Sequence, residues 1–275
     1  MSEALPSMVR RVVADGIAIV TLARPGRANA LDVPGWHALR AVFDEIDRRT
    51  DVRVALLHGE GPHFCAGIDL SALQNLDAVT GTQGGSAGHD AAHLGRWIED
   101  LQDCVTAIER CRVPVIAALH GVCYGGGVDI ACACDIRLAA RDVRLCVKEV
   151  DVAVTADLGV LQRLPRIVGD GHARMLAYTA RVFDGPYAER IGLVSGVFDD
   201  TASLLEAARA LAIELAAKSP LALRGTKRAI NYARDHSVAD GLKQVADWNA
   251  ATLKSSDLTE ALAAMKERRA ARFGS

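Results

Sequence analysis

The chain has 275 residues, and 32 Lys and Arg residues stand against 34 Asp and Glu residues, which leaves a formal net charge of -2. This balance excludes a nucleic-acid binder that works by bulk charge, and an aromatic content of 4% leaves few stacking platforms for bases. Half of the residues are hydrophobic, which is enough for a sizeable core, so we expect a soluble globular protein.

The chain begins with two predicted strands, Val9–Ala14 and Ile17–Leu22, joined by Asp15-Gly16, a dipeptide typical of tight hairpins. The next elements follow from hydrophobic periodicity and from apolar runs bounded by turn residues. They are a helix over 34–49, a buried strand over 52–59, a low-complexity insert over 80–90, a long helix over 90–110 and a buried strand over 113–119. Strands that alternate with helices predict an α/β fold with a largely parallel sheet.

The second half begins with a glycine-rich turn and a helix that ends near residue 133. Two strands follow, over 135–140 and 143–147, and after Pro165 the pattern is almost purely helical. The helices predicted there are 171–179, 186–190, 201–217, 220–234, 238–253 and 258–269. We therefore predict a core over residues 1–200 and a C-terminal helical region over 201–275, whose spare apolar faces would pair with other subunits.

Cysteine use and the absence of targeting signals predict a location. The seven cysteines form no C-x-x-C pair, and Cys132 and Cys134 lie in an apolar stretch, where buried free thiols are expected rather than metal ligands. No apolar run reaches the length of a membrane span, and the first residues do not resemble a signal peptide. These features predict a reducing cytoplasm and no membrane partner, and a composition rich in Ala, Arg and Asp without organelle signals predicts a bacterial one.

Two segments combine an apolar strand with a turn of small residues: 59–70, GEGPHFCAGIDL, and 120–136, which contains the triple glycine at 125–127. Glycines let the backbone approach a ligand closely, and the start of a helix leaves N–H groups unpaired. One amide from each turn would make an oxyanion hole. The alternative is a plain glycine-rich helix entry, and neither G-x-G-x-x-G nor a P-loop lysine is present.

Three motifs together resemble the crotonase (enoyl-CoA hydratase/isomerase) superfamily: FCAGIDL at 64–70, GGGVD at 125–129 and ARPGRANALD at 23–32. The resemblance covers nearly the whole chain. It implies a spiral ββα core, a C-terminal helical trimerisation region, and a homo-trimer or a hexamer built as a dimer of trimers. It also implies an acyl-CoA thioester as ligand, with no metal and no separate cofactor, because coenzyme A is part of the substrate.

The same resemblance implies where the ligand binds. The oxyanion hole would be formed by the amides of Ala66 and Gly126, with Gly67 and Gly127 next to them. The remaining implied contacts line the rest of the ligand: Arg27, Ala28 and Ala30 near the CoA nucleotide, and Ile68, Asp69 and Leu70 near the pantetheine and acyl chain.

Three acidic residues in apolar sequence are the candidate catalytic groups: Asp129, Glu149 and Asp157. Burial among aliphatic side chains raises a carboxylate pKa toward the working pH, as acid–base catalysis requires. Each also has a structural interpretation. Asp129 could cap a helix or form a local salt bridge, Glu149 could be a surface residue beside Lys148, and Asp157 could be a helix N-cap.

Together these acids, with the motifs VKEVDV and ADLGVLQRLP, resemble the dienoyl-CoA isomerase branch of the superfamily. That branch moves a 3,5-diene to a 2,4-diene, which needs one proton removed at the α-carbon and one delivered at the ε-carbon. We therefore predict that Glu149 and Asp157 carry the proton transfers in fatty-acid β-oxidation while Asp129 positions or polarises, and the sequence leaves open which of the two takes the α-proton. The alternatives are an enoyl-CoA hydratase, which uses glutamates at the positions of Asp129 and Glu149, and a non-enzymatic acyl-CoA-binding protein.

Other polar residues near the motifs are given structural roles. No histidine pair has metal-ligand spacing, although His63 and His120 adjoin the two turns. Asp135 and Arg137 are expected to contact each other, and Trp97 is expected in the core. Asp69 is expected to cap the short helix that follows it.

Overall fold

The computed structural model describes residues 8–74 and 87–274. Most of the predicted insert at 80–90 lies outside the described residues, as do residues 1–7. The chain folds as an α/β structure around a six-stranded sheet, as predicted from the alternation of strands and helices. The strands are β1 (Val9–Ala14), β2 (Ile17–Leu22), β3 (Val54–Gly59), β4 (Val115–Leu119), β5 (Val122–Tyr124), β6 (Ile136–Ala140), β7 (Arg144–Cys146) and β8 (Val197–Phe198).

The sheet has the order β1-β2-β3-β4-β6-β8, and β5 pairs with β7 in a separate two-stranded sheet. β1 and β2 form the predicted antiparallel hairpin, with Val9 opposite Leu22, and both turn residues, Asp15 and Gly16, have positive φ. All other pairings are parallel. Every residue of β4 is buried, as expected for a central parallel strand covered on both faces.

The helices cover both faces of this sheet. They are α1 (Val33–Arg48), α2 (Leu70–Gln74), α3 (Ala87–Arg110), α4 (Gly126–Ala133), α5 (Val160–Val168), α6 (Asp170–Thr179), α7 (Gly185–Arg190), α8 (Thr201–Ala216), α9 (Pro220–Tyr232), α10 (Val238–Thr252) and α11 (Ser256–Glu267). The predicted helices agree with these bounds to within a few residues at each end.

The first helix shows how local sequence sets these elements. The Asp32 side chain accepts a hydrogen bond from Gly35 N at 2.9 Å and so caps the start of α1. Trp36, Leu39, Phe43 and Ile46 then recur at helical spacing and are fully buried in the main core. Burying each of these side chains stabilises the fold by roughly 1.5–3 kcal/mol.

A second, smaller core lies on the opposite face of the sheet. There α8 presents Leu204, Ala208 and Ala212, spaced four residues apart, to buried residues of β3, β4 and β6. This helix was predicted within the C-terminal oligomerisation region, and in the structure it covers the sheet.

A buried ion pair ties α9 to the amino ends of the parallel strands. Lys227 Nζ lies 2.7 Å from Asp135 Oδ2, which also accepts from Val115 N at 2.7 Å. The predicted contact between Asp135 and Arg137 is therefore wrong. The Arg137 guanidinium instead donates to backbone carbonyls of the core: to Leu193 O at 2.7 Å, and to Ala131 O and Cys134 O at the end of α4, where carbonyl oxygens need donors.

Candidate active site

The two glycine-containing turns meet beyond the carboxyl ends of β3 and β4. Cys65 and Cys123 form a short parallel bridge, in which Cys65 N donates to Val122 O at 3.0 Å and Tyr124 N donates to Cys65 O at 3.0 Å. These backbone bonds fix the second turn against the first. The prediction that the turns form one site is supported by this contact.

Only glycine fits where the turns touch. Gly67 has φ +88°, and a Cβ placed there would lie 2.8 Å from both Gly126 N and Tyr124 O. A Cβ on Gly127 would lie 2.3 Å from Cys65 O. Two of the glycines that the family resemblance placed near the ligand are thus required by the close approach of two backbones.

The free N–H groups at this contact differ from the predicted pair. Ala66 N donates to Ala28 O at 2.9 Å, which contradicts the prediction that Ala66 supplies a free donor. Within residues 8–74 and 87–274, the N–H groups of Ile68 and Gly126 donate no hydrogen bond. Since Ile68 follows Gly67, these two amides lie on either side of the contact, and Gly126 starts α4, whose dipole favours negative charge at that end.

A polar side chain that the sequence analysis did not single out supports the first turn. Asn29 is fully buried, and its Nδ2 donates to Glu60 O at 3.0 Å and to His63 O at 2.7 Å. Asn29 has φ +57°, a conformation that asparagine tolerates better than most residues. Asn29 lies inside the motif ARPGRANALD, and its place in that motif is the feature of the sequence that could have pointed to it.

The indole ring of Trp36 packs against the second turn at Gly126. The far edge of its ring would lie 3.0 Å from a Cβ on Gly126, and its side chain is fully buried. Its indole Nε1 has no hydrogen-bond partner among the described residues. The helical period predicted that this face of α1 is apolar, but it gave no sign that the indole reaches the turn.

Asp129 lies on α4 and is 1% exposed. Its Oδ1 accepts the N–H of Val160, the first residue of α5, at 2.6 Å, whereas its Oδ2 is buried with no partner in the described chain. Burial, together with repulsion from Glu149 and Asp157, raises the pKa of Asp129 to about 8. The capping interpretation thus holds for one oxygen only.

Glu149 begins a short 3-10 turn, Glu149–Val152. Its Oε1 would lie 3.2 Å from a Cβ built on Gly125. The Glu149 carboxylate therefore lies next to Gly125, one residue before the free amide of Gly126. Its Oε2 is buried and has no partner among residues 8–74 and 87–274. Lys148 pairs with Asp151 rather than with Glu149, and Glu149 as a whole is half-buried, so it is not a fully exposed surface residue. Burial raises the pKa of Glu149.

Asp157 lies just before α5 on the wall of a cavity of about 680 Å³. The N-cap of α5 is Gly159, with φ +116°, so the interpretation of Asp157 as an N-cap is wrong. Gln102 Nε2 on α3 donates to the backbone carbonyl of Asp157 at 2.7 Å. Burial raises the pKa of the Asp157 carboxyl as well.

The three acids form one electrostatic cluster. Glu149 and Asp157 both raise the pKa of Asp129, and Asp157 raises the pKa of Glu149. Arg163, the cation that acts on the pKa of Asp129, is itself paired with Glu109 at 2.6 Å. A cluster of one buried and two half-buried carboxylates with perturbed pKa values next to free amides is typical of a site for proton transfer.

The residues expected around the rest of the ligand differ in exposure and in hydrogen bonding. Arg27 is exposed, Leu70 is 57% exposed, and both lie close to the first turn. Asp69 is buried, its Oδ2 pairs with Arg24 Nη1 at 2.7 Å, and its Oδ1 accepts from Ser71 N at 3.0 Å. The hydrogen bonds from Ser71, with those from Arg24, lower the pKa of Asp69 to about 2, so this side chain is a structural cap, as expected from its position before α2.

The other polar residues near the turns have structural roles. His120 is fully buried and lies 3.2 Å from Gly61 O, and His63 Nδ1 accepts from Val122 N at 3.2 Å. All seven cysteines are buried and free, as predicted for Cys132 and Cys134. In residues 8–74 and 87–274, no group of three His, Cys, Asp or Glu residues is arranged to hold a metal ion. No helix among those residues is long and apolar enough to cross a membrane.

Comparisons with known proteins agree with this geometry. The family model for enoyl-CoA hydratase/isomerase matches residues 13–275. The peroxisomal Delta(3,5)-Delta(2,4)-dienoyl-CoA isomerase of Arabidopsis thaliana is 43% identical over 266 residues, 97% of this chain and 95% of that protein. The mitochondrial enzyme of the same name from Homo sapiens is 43% identical over 253 residues, 90% of this chain and 75% of that protein. A crystal structure of a putative enoyl-CoA hydratase from Streptomyces coelicolor matches with a TM-score of 0.88 and 34% identity, covering 100% of this chain and 98% of that chain.

Proposed function

The chain belongs to the enoyl-CoA hydratase/isomerase family, and we propose that it isomerises 3,5-dienoyl-CoA to 2,4-dienoyl-CoA in fatty-acid β-oxidation. The observation that carries this function is the cluster of buried Asp129 with half-buried Glu149 and Asp157 beside two free amides. The relatives that are named dienoyl-CoA isomerases support it over nearly the full chain. The predicted family is thereby confirmed.

The amides of Ile68 and Gly126 would hold the thioester oxygen. Loss of the α-proton leaves a dienolate whose negative charge is partly on that oxygen, and preorganised N–H donors stabilise it as it develops. The N-terminus of α4 adds its positive dipole end at Gly126. Removal of one such donor typically costs about 10²–10³ in rate.

Glu149 would take the α-proton. Its carboxylate lies beside Gly125, next to the amide that would bind the thioester oxygen, and the α-carbon is bonded to the carbon of that same carbonyl. The C–H bond breaks, the proton goes to Glu149, and the electron pair spreads from the oxygen to the ε-carbon. The raised pKa of Glu149 makes it a stronger base than an ordinary glutamate.

Asp157 would deliver a proton to the ε-carbon. It lies on a different segment from Glu149 but close enough to raise the pKa of that glutamate, and this supports placing it further along an extended acyl chain. The raised pKa of Asp157 favours the protonated form that a general acid needs. The new C–H bond forms with the electron pair of the dienolate, and the 2,4-diene results.

Asp129 would position the two reacting acids. Its Oδ1 accepts the Val160 N–H and so fixes the start of α5, while its unpartnered Oδ2 faces the buried cluster. With a pKa of about 8, Asp129 is mainly protonated at neutral pH, so it adds no full negative charge where the dienolate forms.

The acyl-CoA ligand would extend from the acids past the first turn. Exposed Arg27 is suited to the phosphates of CoA, and exposed Leu70 is suited to the pantetheine chain. We also propose assembly into a homo-trimer or a dimer of trimers through the C-terminal helices, where Val238, Leu242 and Met265 are exposed. The location in a bacterial cytoplasm stays a prediction, since the relatives named above are peroxisomal and mitochondrial.

One assay tests the proposed function. Purified protein is given a 3,5-dienoyl-CoA and, separately, a trans-2-enoyl-CoA, and ultraviolet absorbance is followed. Isomerisation brings the diene into conjugation with the thioester, so absorbance grows with the first substrate; hydration removes conjugation, so absorbance falls with the second. Growth with the first substrate is expected. A fall with the second alone would favour a hydratase, and binding of CoA esters without either change would favour a non-enzymatic protein.

A further inference from the structure

The segment that carries Asp157 is held by side chains that the proton transfers do not use. Three consecutive contacts run along its backbone. Gln102 Nε2 donates to Asp157 O at 2.7 Å, Arg163 Nη1 donates to Leu158 O at 3.3 Å, and Val160 N donates to Asp129 Oδ1 at 2.6 Å. The position of the Asp157 carboxyl is therefore fixed through its own main chain.

A polar stripe on α3 supplies most of this support. Gln102, Thr106 and Glu109 are spaced four and three residues apart, so they lie on one face of the helix. Arg163 Nη2 donates to Thr106 Oγ1 at 3.2 Å, and Arg163 Nε donates to Glu109 Oε2 at 2.6 Å. Gln102 thus contacts Asp157 directly, and Thr106 and Glu109 contact Arg163, which donates to Leu158.

Arg163 is built into this position rather than free to move. Its side chain is 14% exposed, and its guanidinium contacts α3 and the 157–159 segment at once. The second oxygen of Glu109 pairs with Arg234, which lies in the turn just after α9 and so links the network to that helix. A Cβ on Gly159 would collide with Arg163 Nη1, so the glycine there is needed for the arginine to reach Leu158 O.

Such support matters because the two protons move at different places. A carboxyl that must reach the ε-carbon has to be held within a fraction of an ångström, and a misplacement of about 1 Å can cost about 10²-fold in rate. Glu149 lies on a different segment, the turn after β7, so its position does not depend on these contacts.

We propose that Gln102 and Arg163 are positioning residues for the second proton transfer, holding Asp157 at the far carbon of the dienoyl chain. The inference rests on the proposed isomerase function. It predicts a defect of one step only: removal of α-protons continues while delivery at the ε-carbon slows.

The test uses the full-length protein in D2O and compares two rates on a 3,5-dienoyl-CoA. One is the exchange of α-protons with solvent, followed by mass spectrometry of recovered substrate, and the other is formation of the 2,4-diene, followed by absorbance. In Gln102→Leu, kcat for isomerisation should fall about 10- to 100-fold with little change in KM. The ratio of exchange to isomerisation should rise by the same factor.

Glu99→Leu is the control on the same helix. Glu99 is exposed on α3, and its side chain makes no hydrogen bond or ion pair in the described part of the chain, so its replacement should leave both rates unchanged. Arg163→Lys is the second variant. It keeps the charge but loses the planar fork that reaches Leu158 O, Thr106 and Glu109 together, so it should move the ratio in the same direction.

The outcomes separate the inference from the function it rests on. If the unaltered protein forms no 2,4-diene, the proposed function fails. If it does, and Gln102→Leu and Arg163→Lys slow exchange and isomerisation equally or leave both unchanged, the positioning role is overturned. A thermal melt of each variant confirms that the protein assayed is folded.

Discussion

Asp129 and Asp135 are six residues apart, and both are largely removed from water, yet their surroundings are opposite. Asp135 lies at the amino ends of the parallel strands, where its Oδ2 accepts from Lys227 Nζ and from Val115 N, both at 2.7 Å. Asp129 lies beside the turns that follow the carboxyl ends of the strands, and it has one backbone donor, an unpartnered oxygen and two carboxylates as neighbours.

The difference teaches which buried charges stabilise the fold and which are available for chemistry. Burial tends to raise the pKa of both acids, but the Lys227 ammonium opposes it at Asp135. At Asp129 the neighbouring carboxylates add to it. A satisfied buried ion pair fixes structure, whereas acids that lack a cation partner and lie near free amides are poised to exchange protons. The four predictions that follow test this contrast between the two ends of the sheet.

The largest expected effect is on turnover at the carboxyl end. Glu149→Gln and Asp157→Asn should each lower kcat for dienoyl isomerisation about 10²- to 10⁴-fold, because each removes a proton-transfer group. Stability should be kept, since neither carboxylate has a cation partner to lose. Asp151→Asn is the control: Asp151 is a surface acid paired with Lys148, and its loss should leave kcat unchanged. Normal turnover in Asp157→Asn would remove that residue from the mechanism.

The second prediction concerns stability at the amino end. Lys227→Met leaves Asp135 buried without its cation and should cost about 3–5 kcal/mol in the free energy of unfolding. Denaturant unfolding measures this cost, and the kcat of the folded fraction should stay close to that of the unaltered protein. The double variant Asp135→Asn with Lys227→Met should recover much of the loss. A loss of turnover with unchanged stability would reverse the roles assigned to the two ends.

The third prediction concerns the contact between the turns. Gly67→Ala adds a Cβ 2.8 Å from two backbone atoms at φ +88°, so it should cost about 1–3 kcal/mol in stability and lower kcat. Gly95→Ala is matched to it: nothing lies within 4 Å of the added methyl, and the change should stabilise α3 by about 0.5–1 kcal/mol. Equal effects of both variants would show that the close approach at Gly67 is unimportant.

The fourth prediction concerns the pH dependence of stability. The pKa of Asp129 is raised from an ordinary 3.8 to about 8, so between these values the folded chain holds a proton that the unfolded chain has lost. This stabilising contribution is complete below pH 4 and is lost as pH rises through about 8. Asp129→Asn keeps an oxygen that can accept from Val160 N–H but cannot titrate. The unfolding free energy of this variant should therefore fall less steeply as the pH rises. Unfolding free energies at pH 5 and pH 8.5 check it; an unchanged slope would contradict the raised pKa.

Much of the fold could be predicted from the sequence because its elements depend on local pattern. The hairpin at Asp15-Gly16 and the buried face of α1 follow from turn chemistry and helical period. The pairing of β4 with β6 across an intervening helix and small sheet is a non-local choice, and so is the partner of Asp135, which lies 92 residues away. Sequence proximity suggested Arg137, and tertiary packing selected Lys227.

The candidate site shows the same division. Its three acids could be found because each interrupts an apolar run. The choice between Ala66 and Ile68 as amide donor could not be predicted from the sequence, because it depends on whether Ala28 O accepts a hydrogen bond from the Ala66 N–H. The N-cap interpretation of Asp157 failed because Gly159, at φ +116°, starts α5 two residues later. The support from Gln102 lay 55 residues away on another helix and left no local signal.

The most direct measurement is the exchange of α-protons in D2O by the two catalytic variants, on a saturated acyl-CoA that cannot isomerise. The raised pKa of each acid is compatible with either role, and only the location of Glu149 beside Gly125 assigns it to the α-carbon. Exchange should therefore be lost in Glu149→Gln and retained in Asp157→Asn, although neither variant forms the 2,4-diene at a normal rate. Loss of exchange in Asp157→Asn with retention in Glu149→Gln would contradict the assignment and reverse the direction in which the acyl chain crosses the site.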